Sequence, residues 1–147
     1  MSIRRKAREY ALQMLYQWEV SGQKPHAVES AFWKGARSEK NTRVFANELF
    51  EGAVGWVKEI DKLLGQHAQN WRLDRMAAID RNILRLGVYE LRYCSDAPPK
   101  VVINEALELA KKFCDAEGPA FVNGILDSVN KAVEKENGKG KMEKGNA

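Results

Sequence analysis

The start of the chain is where its residue types most plainly offer chemistry. Among the first ten residues Arg4, Arg5, Lys6 and Arg8 stand against Glu9 alone, a local balance of +3 in a chain of net charge +4. Guanidinium forks match phosphate oxygens and stack on unpaired bases, so such a segment can hold a nucleic acid without a pocket. A solvated helix start is the other reading of the same residues, and composition does not separate the two. The segment from Lys131 onward adds +2 and leaves the body between at −1. That distribution fits a local polyanion contact better than a basic coat.

Catalytic chemistry is harder to assemble. His26 and His67 lie outside any HExxH or CxxC context, and His26 follows Pro25 at a helix start where a solvated ring is expected. Cys94 and Cys114 are far apart, each at the end of a helical stripe, and read as small buried hydrophobes. No cationic cluster beside them argues for a reactive thiolate. No GxGxxG occurs, and Glu105 with Glu108 reads as a solvated helix face. No general acid–base set emerges, so the expectation is a protein without catalysis, metal or cofactor.

The elements that must position these residues are helical. Ser2 is a plausible N-cap, and Ala7, Ala11, Met14, Leu15 and Trp18 then form one apolar stripe, with Arg4 and Arg8 on its shoulder. Leu12 and Tyr16 lie well round the helix from that stripe. Either this helix sits centrally in the fold, or it shows a second surface to a partner. A short helix follows Pro25, with Val28, Ala31 and Phe32 inward. Phe45, Leu49, Ala53, Trp56, Ile60 and Leu63 trace a long helix to about Gly65. Asp74 looks like the N-cap of a helix through Ile79, Ile83, Leu86 and Leu91, whose apolar residues cover more than one face and predict the most buried element. Ser95 to Pro99 breaks it. Ile103, Ala106, Leu107, Ala110 and Phe113 make the next stripe, and Val122, Ile125, Val129 and Val133 the last, after Pro119 in its first turn.

Nothing alternates like a strand, so the fold class is all-α, six to seven helices in a single domain over residues 1–135. Residues 136–147 are rich in Lys, Glu, Gly and Asn and are expected to form a disordered polar tail. The 147 residues suffice for one core, and 44% hydrophobic with 30% charged residues excludes a chain disordered throughout or a collagenous one. No apolar run approaches the ~18 residues of a membrane span. A charged periodic helix rather than an apolar stretch follows the basic start, so no secretory signal is expected, and two unpaired cysteines suit the cytoplasm.

Four stretches in order resemble the NusB family of bacterial antitermination factors. They are Arg4-Arg5-Lys6-Ala7-Arg8-Glu9 with Ala11-Leu12-Gln13-Met14-Leu15-Tyr16; Trp71-Arg72-Leu73-Asp74-Arg75 with Ile79-Asp80-Arg81 and Ile83 to Leu91; Pro99 to Ala106 running to Phe113; and Phe121-Val122-Asn123-Gly124-Ile125-Leu126-Asp127. Each alone is a weak amphipathic pattern, but together they span residues 4 to 127 with helix-compatible spacing. The resemblance implies two packed helical subbundles and no catalysis. It implies pairing with NusE, the ribosomal protein that doubles as a transcription factor, and binding to single-stranded boxA RNA of ribosomal RNA leaders. On RNA polymerase, with other Nus factors, such a pair suppresses premature termination.

Residue by residue, the resemblance assigns Arg4, Arg5, Lys6 and Arg8 to RNA, and Tyr16 and Asp80 to NusE; Leu12, off the main stripe beside Tyr16, is expected on the same partner surface. Phe121 and Asn123 fall near a loop the family uses for RNA, where an aromatic can stack on an unpaired base. Phe121 and Gly124 also read as packing residues, with Gly124 allowing close helix approach, and Asp80 as an internally paired carboxylate. The family often has a basic residue just before Phe-Val-Asn-Gly, whereas this chain has Ala120 after Pro119. Glu117 would repel phosphate unless it faces the protein partner. Two other functions compete: a protein-only helical adaptor, and a stand-alone relative of the N-terminal domain of ribosomal RNA cytosine methyltransferases. The sequence contains no Rossmann-like segment, which argues against the second.

Overall fold

The computed structural model describes residues 2–68, 73–94 and 96–145. Seven α-helices are found there: α1 (Ile3–Ser21), α2 (Pro25–Gly35), α3 (Lys40–Gly55), α4 (Val57–His67), α5 (Ala78–Tyr93), α6 (Pro99–Phe113) and α7 (Gly118–Gly145). A single 3₁₀ turn, Leu73–Arg75, precedes α5, and no strand occurs among the described residues. Trp71, Arg72 and Ser95, used in the sequence argument, lie outside them.

Local chemistry sets the helix ends. Ser2 caps α1, its Oγ accepting from the Arg5 N–H at 3.1 Å. Gly22 closes the helix in the left-handed region at φ 69°, a conformation glycine adopts without a Cβ clash. Pro25 and Pro99 occupy the first helical positions of α2 and α6, where a missing N–H costs nothing.

Helices α1, α2 and α3 pack together as one group, and α4, α6 and α7 surround α5 as another. The groups join where α5 lies against α1 and α3. Ile83, Leu84, Leu86 and Val88 of α5 are fully enclosed, as its apolar breadth predicts. Two glycines permit close approaches to α5 and α7. A Cβ on Gly52 would sit 2.1 Å from the Tyr89 ring, and one on Gly87 would sit 2.8 Å from Leu126 Cδ1. Gly124, by contrast, faces open space, so it is not the residue that lets helices close up.

Three expectations change. The long helix read through Gly65 is two helices, interrupted at Trp56, whose ring leaves the core (44% exposed) to stack on Tyr93 at 4.2 Å. Asp74 lies in the 3₁₀ turn rather than at an N-cap, and α5 begins after Ala77 with no side-chain cap bond. Helix α7 continues past Glu136, where composition ends the domain, although the last buried residue given for it is Val133.

Polar side chains fix the junction of α1, α4 and α5. Glu19, in the last turn of α1, accepts from Arg81 Nε at 2.6 Å, Asn82 Nδ2 at 2.9 Å and Arg85 Nη1 at 3.1 Å. Arg85 also grips Asp61 of α4 through two bonds of 2.9 Å, and Arg81 donates to the carbonyls of Leu73 and Met76. Burial pushes the Glu19 carboxyl up, but the bonds from Arg81 and Asn82 and the nearby charges outweigh it and hold the group below its usual range.

Candidate functional site

The contact pattern orients α1 antiparallel to α5 and parallel to α6. Arg8 meets Glu90 near the end of α5, while Glu19 meets Arg81 near its start; Arg5 meets Glu105, and Glu9 meets Lys112. The basic start of α1 and its Tyr16 end therefore lie at different ends of the bundle. At 1.5 Å per residue, Arg5 and Tyr16 are about 16 Å apart along the axis.

At the basic end the four cations have unequal fates. Arg4 is exposed, 4.0 Å from Asp96 and with its guanidinium 4.5 Å from the Phe45 ring centroid. Arg5, 43% exposed, forms a fork on Glu105 with bonds of 3.0 and 2.9 Å, and its bond and charge hold that carboxyl below the usual range. Lys6 reaches Glu9 at 3.4 Å and lies over the Tyr10 ring. Arg8 is only 4% exposed and is locked on Glu90 at 2.8–3.1 Å. Burial opposes its charge, yet the Glu90 bond and field still raise its pKa. Arg8 is thus a structural cation, withdrawn from any phosphate, whereas Arg4, Arg5 and Lys6 keep exposed surface.

At the other end two clefts adjoin across the first turn of α5. One, of about 160 Å³, is lined by Leu12, Tyr16, Phe32, Ile79 and Phe113 among others. Tyr16 and Phe113 are over one-third exposed, while Leu12 is buried at its floor with 1% of its surface accessible. The expectation that Leu12 shares an outward face with Tyr16 is therefore corrected: Leu12 is enclosed, since α1 is central, packed against α2, α3 and α5, rather than peripheral. The other cleft, of about 180 Å³, is lined by Arg75, Asp80, Asp115, Glu117, Gly118 and Phe121 among others. Asp80 meets Glu117 and Phe121 here, both distant from it in sequence. Three carboxylates against one guanidinium make the cleft suited to a cationic protein segment and repellent to phosphate.

Asp80 also accepts from the Cys114 thiol. Burial first, then this bond and the charges of Asp80 and Asp115, push the thiol up to about 12, so it is inert. Asn123 is exposed on α7, and Phe121 is half-buried. His67 Nδ1 lies 2.7 Å from Ser128 Oγ and ties α4 to α7, and His26 is exposed. Among the described residues no group of three or more His, Cys, Asp or Glu is placed to hold a metal ion. Ile79 and Phe113 are the cleft residues that periodicity missed. They read as stripe positions, and only their place at a helix terminus signals that the stripe there opens to solvent.

One cationic end, two clefts of acidic and apolar character and an all-helical body define a binding module with separate faces for an anion and for a protein. The chain matches the NusB family over residues 5–131. It is 52% identical over 141 residues to the transcription antitermination protein NusB of Myxococcus xanthus (strain DK1622), covering 92% of this chain and 99% of that protein. It is 46% identical to the NusB of Koribacter versatilis (strain Ellin345), covering 90% and 92%. Among solved structures, one chain from the structure of the antitermination factors NusB and NusE in complex with double-stranded RNA superposes with a TM-score of 0.82, at 32% identity, covering 90% of this chain and 98% of that one. NusB from Aquifex aeolicus gives a TM-score of 0.81, also at 32% identity, covering 92% and 93%. The chain belongs to the NusB family.

Proposed function

We propose that this chain is a transcription antitermination factor that acts by binding alone, in the cytoplasm, as a heterodimer with NusE on boxA RNA of ribosomal RNA operons. Delivered to RNA polymerase with other Nus factors, the pair suppresses premature termination. One observation carries the reading: a chain superposing on one chain from a structure of NusB and NusE with double-stranded RNA presents a cationic face and an acidic–apolar face at separate ends of one helix. In this reading Arg4, Arg5 and Lys6 hold the RNA backbone. Tyr16, Asp80 and Glu117 meet NusE, with Leu12 supporting Tyr16 from below. Asn123, exposed on α7, offers hydrogen bonds to an unpaired base, whereas Phe121 lines the cleft that repels phosphate and falls on the partner side; Ala120 adds no positive charge where the family often has a basic residue.

The test is a salt-titrated RNA-binding measurement with and without NusE, using single-stranded boxA, its scrambled version and a duplex. The expected result is a steep salt dependence, tightening by NusE, and preference for single-stranded boxA. RNA affinity indifferent to NusE and to salt would assign the chain to the protein-only adaptors instead.

A further inference from the structure

The basic segment of α1 has a counterpart that the fold brings beside it. Between the end of α2 and the first turn of α3, Lys34, Arg37, Lys40 and Arg43 stand against Glu39 alone, again a balance of +3. All four are exposed. Arg5, Lys6 and Arg8 each have a carboxylate within 3.4 Å, but none of these four makes an ion pair among the described residues.

The two basic segments are joined by an aromatic bridge. Lys6 Nζ lies 4.9 Å from the centroid of the Tyr10 ring, and Tyr10 Oη donates to the Arg37 carbonyl at 3.4 Å. The Tyr10 and Trp33 rings meet edge-on at 5.3 Å, and the Arg43 guanidinium lies 5.1 Å over Trp33. Trp33 is itself pinned, its Nε1 donating to Asn47 Oδ1 at 2.7 Å. The result is a row of cation, ring, ring and cation in steps of about 5 Å, with Arg37 tethered beside it.

Exposed cations without carboxylate partners are the ones able to replace condensed counterions on a phosphate backbone, because no internal pair must first be broken. A flat guanidinium supported on a fixed indole keeps its outer N–H groups free for phosphate oxygens. We infer that the α2–α3 segment is a second phosphate-binding track, which takes single-stranded RNA flanking the recognised element after it leaves the start of α1. This rests on the RNA-binding reading above and extends it. Phosphate contacts carry no sequence information, so the track adds affinity for longer RNA and no base preference.

The experiment compares wild-type protein with the triple variant Arg37→Gln, Lys40→Gln, Arg43→Gln, each paired with NusE. The probes are minimal boxA RNA and the same RNA carrying an oligouridine flank on either side. A control variant, Lys24→Gln, Lys58→Gln, Lys62→Gln, removes the same charge from exposed positions elsewhere. On flanked RNA the track variant should flatten the plot of log K against log salt by about 2 units, at about 0.7 per phosphate on a single strand. It should bind minimal boxA as wild type does, and the control should match wild type on both. An unchanged slope on flanked RNA, or an equal flattening by the control, overturns the track while leaving the RNA-binding reading intact. Failure of the wild-type pair to bind either RNA overturns both.

Discussion

The two ends of α1 are built from opposite electrostatic arrangements. At its start, cations of one helix meet carboxylates of its neighbours, and the most buried of them, Arg8, is fully engaged by Glu90. At its Tyr16 end, Asp80, Asp115 and Glu117 line an open cleft with Arg75 as the one cation among its lining residues. The comparison teaches that a run of charge in sequence does not measure charge available to a ligand. Availability depends on what the rest of the fold places opposite.

The sharpest way to break this contrast is to free the buried carboxylate. Arg8→Ala leaves Glu90 enclosed without its partner and should cost about 3–5 kcal/mol in denaturant unfolding. Replacing both residues by methionine should recover much of that loss. A single-variant loss below about 1 kcal/mol would return Arg8 to the RNA-binding set.

At the opposite end, Asp80→Lys should weaken NusE binding by about 2 kcal/mol or more, the usual consequence of breaking an interfacial charge pair. Its effect on stability should stay near 1 kcal/mol, because a cation in the first turn of α5 opposes the helix dipole. Calorimetry giving wild-type NusE affinity would remove Asp80 from the interface.

A salt titration then compares the exposed cations with the engaged one. Arg4→Gln, Arg5→Gln, Lys6→Gln should flatten the RNA-binding slope by about 2 units if all three reach phosphate. A change nearer 0.7 would mean that Glu105 and Glu9 keep their partners in the complex.

The smallest effect concerns the packing of α2 on α3. Burial first, and then the hydrogen bond and charge of Glu51, raise the Glu29 carboxyl to about 7. A carboxyl raised on folding favours the native state while protonated. Its contribution is complete below the ordinary carboxyl range and is lost as pH climbs toward 7. Glu29→Gln should abolish that decline and stabilise the protein on the alkaline side by on the order of 1 kcal/mol. Parallel pH–stability curves for the two proteins would show that the pair does not share a proton.

Periodicity made the enclosed face of α5 legible, because Ile83 and Leu86 repeat at helical spacing and the structure encloses both. It could not show that Leu12 is enclosed, since α2, α3 and α5 pack around α1 in an arrangement no local pattern records. The engagement of Arg8 was hidden for the same reason: its partner is 82 positions away in sequence. The break at Trp56 was hidden because the apolar spacing of α3 continues into α4, while the stacking that draws Trp56 outward depends on Tyr93. The meeting of Asp80 with Glu117 and Phe121 was not legible, since the resemblance assigns Asp80 to NusE and Phe121 to RNA and no local pattern places them in one cleft.

The network around Glu19 has a kinetic consequence. By clamping the last turn of α1 to α5, and α5 to α4, it sets Tyr16, Ile79 and Asp80 on a frame with little freedom to rearrange. A partner arriving at this end meets a finished surface. Its association should proceed as a single encounter step, hastened by the carboxylates' pull on a basic segment and slowed by added salt, with no pause for the helices to reorganise.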